Sequence, residues 1–305
     1  MNEKKFLGVD CLEAAFGNLT LLFTLSVGPR IISLRYGKSD NLFAEMPDAS
    51  LDYLNGEKFH LYGGHRLWVA PEDPAFTYIP DDWPINVKTQ SGTVELIQEI
   101  DRKTGLRKII RVQESGNKNA IIVDHLVCNE GSVDKKIAPW AISQMKSGGT
   151  GILPLRATQS NSPFLPDRSL VLWPYTDIYD KRIHVHKDYV FVNTQPNNEH
   201  AVKVGTSNLP NWAAYYNEPY LFIKYSGKAD SSCALDLGAE AQCYCDHRCL
   251  ELETLGLYQV VKPGETATHR EIWRVVEKPF PLLTPEALQD FIKNDELVNV
   301  FQGML

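Results

Sequence analysis

The sequence lacks a positive balance: 31 Lys and Arg stand against 38 Asp and Glu, a formal net charge of -7. No run of Lys or Arg interleaved with aromatics offsets this locally. The basic patch that phosphate backbones demand is missing, so no nucleic-acid partner is expected. Long apolar runs are missing too. The longest, Leu19 to Leu25, falls far short of the roughly 20 residues of a membrane helix, so no membrane partner is expected. Met1 to Gly8 carries no apolar core of a signal peptide, and the expected location is cytoplasmic. Six cysteines in a chain this long do not make a secreted disulfide framework. Helical periodicity is absent before residue 280.

What is present is a succession of short β-rich runs: 19–27, 30–37, 93–100, 106–114, 120–128, 189–193, 201–205, 220–225, 233–238, 250–256 and 268–276. Several alternate polar with apolar residues, and Gly, Asn, Asp or Pro separates them. Many short strands with turn signals between them predict an all-β sandwich or barrel. Two hairpins are predicted, one turning at Lys103-Thr104-Gly105 and one at Ser115-Gly116-Asn117, where Gly permits positive φ. Thr284 followed by Pro285 reads as an N-cap and first helical residue, so 285–294 is expected to be a short C-terminal helix. Segments 46–63 and 70–86 carry little strand signal and are read as long loops; the second is rich in Pro and aromatics, which argues for burial or a ligand. No linker or repeat divides the chain, so 1–305 is expected to be a single domain.

Three constellations carry possible chemistry. The densest, 59–68, gathers His60, Tyr62, His65, Arg66 and Trp68 around Gly63-Gly64. Paired glycines let a backbone or ligand approach closely, Arg66 suits vicinal hydroxyls, and Trp68 suits the face of a pyranose. The structural alternative is a tight turn feeding a core strand. In the second, strand alternation places Glu251 and Glu253 on one face, about 7 Å apart, as a base and a hydrogen-bond acceptor or as a solvated face. The third, Cys243, Cys245, His247 and Cys249, has zinc-ligand types. Side chains two apart on a strand diverge too little to surround a tetrahedral ion, and 246–248 looks like a hairpin tip, so no metal is expected. Trp173, Lys203 and Trp212 add an aromatic or a charge beside turn residues, as walls of a sugar site or as sandwich corners.

Leu252-Glu253-Thr254, Lys262-Pro263-Gly264-Glu265 and the strand 268–275 resemble the aldose 1-epimerases (galactose mutarotases). Gly28-Pro29-Arg30-Ile31, Gly63-Gly64, Arg66-Leu67-Trp68 and Ala70-Pro71-Glu72 are similar to a divergent branch of that superfamily. The resemblance spans residues 20–276 in order. It implies a galactose-mutarotase-like β-supersandwich whose concave sheet face holds a small-molecule saccharide, with no cofactor. In that superfamily a Glu takes the proton of the anomeric hydroxyl and a His protonates the ring oxygen.

Carried over, Glu253 is the expected base, with Arg66, Tyr62, Trp68, Glu251, Trp140, Trp173, Lys203 and Trp212 as expected saccharide contacts. The chain departs from the pattern at the acid. Tyr62 stands where mutarotases have a His before Gly-Gly, and 138–143, the counterpart of their acid segment, holds Trp140 and no His. Tyr62, His60 or His65 is the expected substitute. Two functions follow: an aldose 1-epimerase-like isomerase, or a non-catalytic carbohydrate-binding module on the same fold.

Overall fold

Alternating apolar residues assemble two large sheets. A computed structural model of the chain describes residues 1–155, 164–207, 212–226, 235–277, 280 and 282–294. In the larger sheet the strands lie in the order Asn2–Phe6, Val9–Phe16, Leu19–Thr24, Arg30–Tyr36, Lys58–Ala70, Lys135–Lys146, Cys249–Leu255, Ala241–Cys245, Val202–Thr206 and Leu170–Leu172. Glu45–Asp52 and Gln259–Val261 attach beside this path. The smaller sheet runs Ile183–Val185, Tyr189–Asn193, Thr150–Pro154, Trp212–Asn217, Tyr220–Ser226, Thr266–Glu277, Ala120–Asn129, Leu106–Glu114, Thr93–Ile97 and Asn86–Gln90. This is the all-β sandwich expected, and both expected hairpins are antiparallel pairs of the smaller sheet.

The two sheets meet over a continuous apolar layer. Leu67, Val69, Met145 and Leu252 face inward from the larger sheet, and Ile121, Val123, Phe222, Trp273 and Val275 from the smaller. A second cluster covers the outer side of the smaller sheet. There Ile272, Tyr225 and Trp212 meet Leu288 of the helix Pro285–Asn294, which spans the expected residues. The Thr284 hydroxyl caps it, accepting from the Ala287 amide at 3.2 Å.

Two expectations fail locally. Segment 46–63 is not a loop: Glu45–Asp52 and the start of Lys58–Ala70 pair across it. Residues 236–238 of the expected 233–238 strand form a 3-10 turn, while 233 and 234 lie outside the described residues. Within Lys58–Ala70 the chain bends sharply at Tyr62, Gly63 and Gly64, all at positive φ. The close approach made there is by the protein itself. A Cβ on Gly63 would lie 1.9 Å from the Ala44 carbonyl, and one on Gly64 2.4 Å from that of Ile31. Among the described residues no helix is long and apolar enough to cross a membrane.

Candidate functional site

Period-2 alternation, applied to five adjacent strands, brings one set of side chains together on the outer face of the larger sheet. Lys58–Ala70 contributes Arg66 and Trp68, Lys135–Lys146 contributes Trp140 and Gln144, and Cys249–Leu255 contributes Glu251 and Glu253. Gln242 comes from Ala241–Cys245 and Lys203 from Val202–Thr206. The register sets Arg66 and Glu253 on either side of Ile142, and Gln242 directly opposite Glu253.

The two carboxylates are held differently. Glu251 Oε1 accepts from Arg66 Nη2 at 2.9 Å and from Gln144 Nε2 at 2.7 Å. Glu253 Oε2 accepts from Trp140 Nε1 at 2.7 Å and from Lys203 Nζ at 2.8 Å. The Lys203 ammonium lies between two indoles, 4.8 Å from the ring centre of Trp140 and 4.7 Å from that of Trp173. Trp173 belongs to a loop tied to the Lys203 backbone, where the Thr176 hydroxyl accepts from Lys203 N–H and donates to Lys203 C=O, both at 2.8 Å. Tyr175 on the same loop is half exposed.

Glu253 is fully buried. Burial raises its carboxyl, Lys203 opposes that and Glu251 adds to it, leaving it pushed up to about 7. Partial burial, and then the charge of Glu253, also push the Tyr175 phenol above its ordinary range. A carboxylic acid that titrates near neutrality beside an ammonium is suited to passing protons in either direction.

Trp68 does not offer a stacking face. Arg66 covers it at 4.1 Å, and Phe59, Tyr78 and Trp140 pack around it at 5.2–5.4 Å. What it offers is an indole N–H. Among the described residues that N–H, Arg66 Nε and Arg66 Nη1 are buried donors without a protein partner, and Gln144 Oε1, Gln242 Oε1 and Glu253 Oε1 are buried acceptors in the same condition. An unmet buried polar group costs about 1–3 kcal/mol, so six on one sheet face mark a place whose hydrogen bonds are completed by something else.

Other expected site residues go elsewhere. His65 is a correction: adjacent to Arg66 in sequence, it points through the sheet into the inter-sheet layer, with its ring 4.6 Å from that of Trp273. There it joins a polar cluster. His125 Nδ1 lies 3.0 Å from the His269 carbonyl and so donates, His125 Nε2 accepts from His65 Nε2 at 2.7 Å, and His65 Nδ1 accepts from the Ser143 hydroxyl at 2.9 Å. Burial lowers both imidazoles, which stay neutral. Trp212 is a second correction, because it packs at 6.1 Å from Tyr189 on the outer side of the smaller sheet, two layers from Glu253. His60 and Tyr62 lie beyond the bend and bond to Asp82, at 2.7 and 2.8 Å. Arg30 anchors that region, fully buried against Asp81 at 2.7 Å.

His65, His125 and Glu271 bring three potential ligand atoms within 4.8 Å of one another. They do not suit a cation: both nitrogens of each imidazole are engaged, and Lys224 Nζ already sits 2.8 Å from Glu271 Oε1. The cysteines do not converge either, since Cys243 and Cys245 face the interior layer and Cys249 packs with Met46 and Phe59 on the other side. Sequence reasoning missed Gln144, Gln242 and Tyr175. Two-residue spacing from Trp140 points to Gln144 once 135–146 is known to be a strand; Gln242 and Tyr175 are placed only by long-range pairing.

Neither a protein-family model nor a curated protein matches the chain. Solved structures do. A candidate aldose 1-epimerase from Klebsiella pneumoniae matches with a TM-score of 0.59 at 10% identity, covering 89% of this chain and 80% of its own. A candidate mutarotase from Salmonella typhimurium gives 0.56 at 9%, covering 90% and 93%. A candidate aldose 1-epimerase from Escherichia coli K12 gives 0.52 at 11%, covering 88% and 99%. At such identities the likeness establishes the fold, a galactose mutarotase-like β-sandwich, and nothing about the chemistry.

Proposed function

On the premise of a galactose mutarotase-like fold, we propose that the outer face of the larger sheet binds a saccharide and opens its ring in the manner of an aldose 1-epimerase. The observation that carries this is Glu253, whose Oε2 is tied to Trp140 and Lys203 while Oε1 stays buried without a partner among the described residues. Oε1 takes the proton from the anomeric hydroxyl. The O–H electrons form the C1 carbonyl, the bond from C1 to the ring oxygen breaks, and that oxygen takes a proton from an acid. Lys203, the cation nearest Glu253, is assigned as that acid in place of the expected His. Rotation about C1–C2 and reversal of the steps give the other anomer. The three unmet donors and three unmet acceptors suit a ligand whose hydroxyls both give and take hydrogen bonds. Trp173 and Tyr175 supply the ring faces that Trp68 cannot.

A second reading, a binding module without turnover, is favoured by one feature: the Lys203 ammonium is already engaged by Glu253 and two indoles. Exchange NMR of anomers across a panel of aldoses separates the two. An isomerase accelerates interconversion, and Glu253→Gln and Lys203→Met each lower the rate by about 100-fold or more. Saccharide binding without acceleration selects the module, and an unchanged rate in Glu253→Gln removes the assignment of the base.

A further inference from the structure

Directly behind Glu253, on the inter-sheet side, lies Lys224, which reaches across from Tyr220–Ser226 of the smaller sheet. Its three protons are all used. Nζ meets Glu271 Oε1 at 2.8 Å, the Leu252 carbonyl at 3.1 Å and the Ala141 carbonyl at 3.2 Å. The Leu252 carbonyl belongs to the peptide that leads into Glu253. Ala141 follows Trp140, whose indole holds the Glu253 carboxylate. Glu271 is fixed in turn by the Thr254 hydroxyl and by Trp273 Nε1 at 2.7 Å, and Thr254 accepts from His269 Nε2 at 2.7 Å. Lys224 and Glu271 are both fully buried.

Stability alone does not explain such a pair. Well-packed apolar side chains of similar volume replace buried ion pairs at no loss, and often with a gain. What an apolar pair cannot do is hold two backbone carbonyls of the larger sheet from the smaller one, or carry charge. We infer, on the reading that Glu253 is the ionisable centre of the site, that Lys224 with Glu271 as counter-ion is a positioning device for Glu253. It pins the peptide that leads into Glu253 and the facing peptide between Ala141 and Ile142, the register partner of Glu253, and sets a buried cation behind the carboxylate.

The other groups around Glu253 are accounted for. Lys203 and Trp140 bond to it; Glu251 shares its strand; Gln242 stands opposite on the next strand; Tyr175 comes from the loop; Arg66, two strands away, is engaged with Glu251. From behind, Lys224 is faced by Glu271, His125, His269 and His65, the imidazoles being neutral. Burial draws the Lys224 ammonium below the ordinary lysine range, and Glu271 and then Glu253, from across the sheet, draw it back.

The test is a pH titration of the full chain with Glu and Lys side chains labelled with 13C, Glu253→Gln assigning the Glu253 carboxyl. In the double variant Lys224→Met/Glu271→Gln, which keeps the interior neutral, the Glu253 midpoint is expected to rise by about half to one pH unit, because of the two charges removed the cation is the one bonded to the peptide leading into Glu253. In the unsubstituted protein the Lys224 Cε signal is expected to show an inflection at the Glu253 midpoint that vanishes in Glu253→Gln. A purely structural role lowers the unfolding midpoint and leaves both signals alone. A folded double variant with an unmoved Glu253 midpoint overturns the inference. Should that variant not fold, a Lys224 signal indifferent to Glu253→Gln does the same. Neither readout uses a sugar, so failure of saccharide binding is seen separately.

Discussion

The stability of the protein should carry the signature of Glu253 in its pH dependence. Folding raises this carboxyl from an ordinary 4.5 to about 7, chiefly through burial. A raised carboxyl stabilises the folded state through its protonated form. That contribution is complete below the unfolded value and is lost as pH climbs through the folded one. The shift is about 2.5 units, and each unit is worth 1.36 kcal/mol, so the loss between pH 4.5 and just above pH 7 is about 3 kcal/mol. Replacing Glu253 by Gln keeps the shape and removes the ionisation. It also leaves Lys203 without its carboxylate, which offsets the absolute stability by a constant. The change of the gap with pH, and not its absolute size, is therefore the quantity that reads Glu253. Urea unfolding at pH 4.5, 5.5, 6.5 and 7.5 should therefore show the gap between parent and Glu253→Gln changing by about 3 kcal/mol, with the parent losing ground as pH rises. Parallel curves would mean that Glu253 ionises at an ordinary carboxylate pH, and a base poised at neutrality would go with it.

Two further substitutions separate the site from the scaffold. Trp212→Ala empties a packed position on the outer side of the smaller sheet and should cost about 3–5 kcal/mol in urea unfolding, while saccharide affinity by calorimetry in the folded protein stays unchanged; a selective loss of affinity would return Trp212 to the site. Arg66→Ala removes two unmet donors and the partner of Glu251, so affinity should fall more than tenfold, each hydrogen bond to a charged group being worth about 1.5–3 kcal/mol; equal affinities would place the ligand elsewhere.

The parts of the fold legible in the sequence are those where polar and apolar residues alternate along a strand or a turn or cap marks an element's end. In 249–255 Leu250 and Leu252 alternate with Glu251 and Glu253, and the chain follows that alternation. The 93–114 hairpin and the helix at 285–294 were equally legible, because a Gly turn or a Thr-Pro cap marks their ends. Lys135–Lys146 was not. Its residues 137–145 are buried on both faces, since the inter-sheet layer covers one side and the aromatic site cluster the other, and Pro139 interrupts it. A strand apolar on both faces over most of its length shows no alternation to read. Glu45–Asp52 failed for the opposite reason: Pro47, Asp48 and its other exposed residues carry little apolar pattern at all.

The same physics explains why the site was only half legible. Residues 63–70 are buried on both sides, so nothing local says which of His65 and Arg66 faces the ligand and which the interior. Neighbours in sequence are opposites in a strand, and an inference from proximity to Gly-Gly draws both into one site when geometry can admit only one. Lys203 was among the expected saccharide contacts, but its pairing with Glu253 escaped for a different reason. Lys203 lies two strands away, across Ala241–Cys245, and meets Glu253 only because Lys203 pairs with Tyr244 while Gln242 pairs with Glu253. No spacing along the chain encodes that meeting. The counterpart of the missing acid His was therefore sought within a few residues of a glycine pair. The ammonium that the folded chain sets against the base comes from the same sheet face, on the opposite flank of the Glu253 strand from the glycine pair.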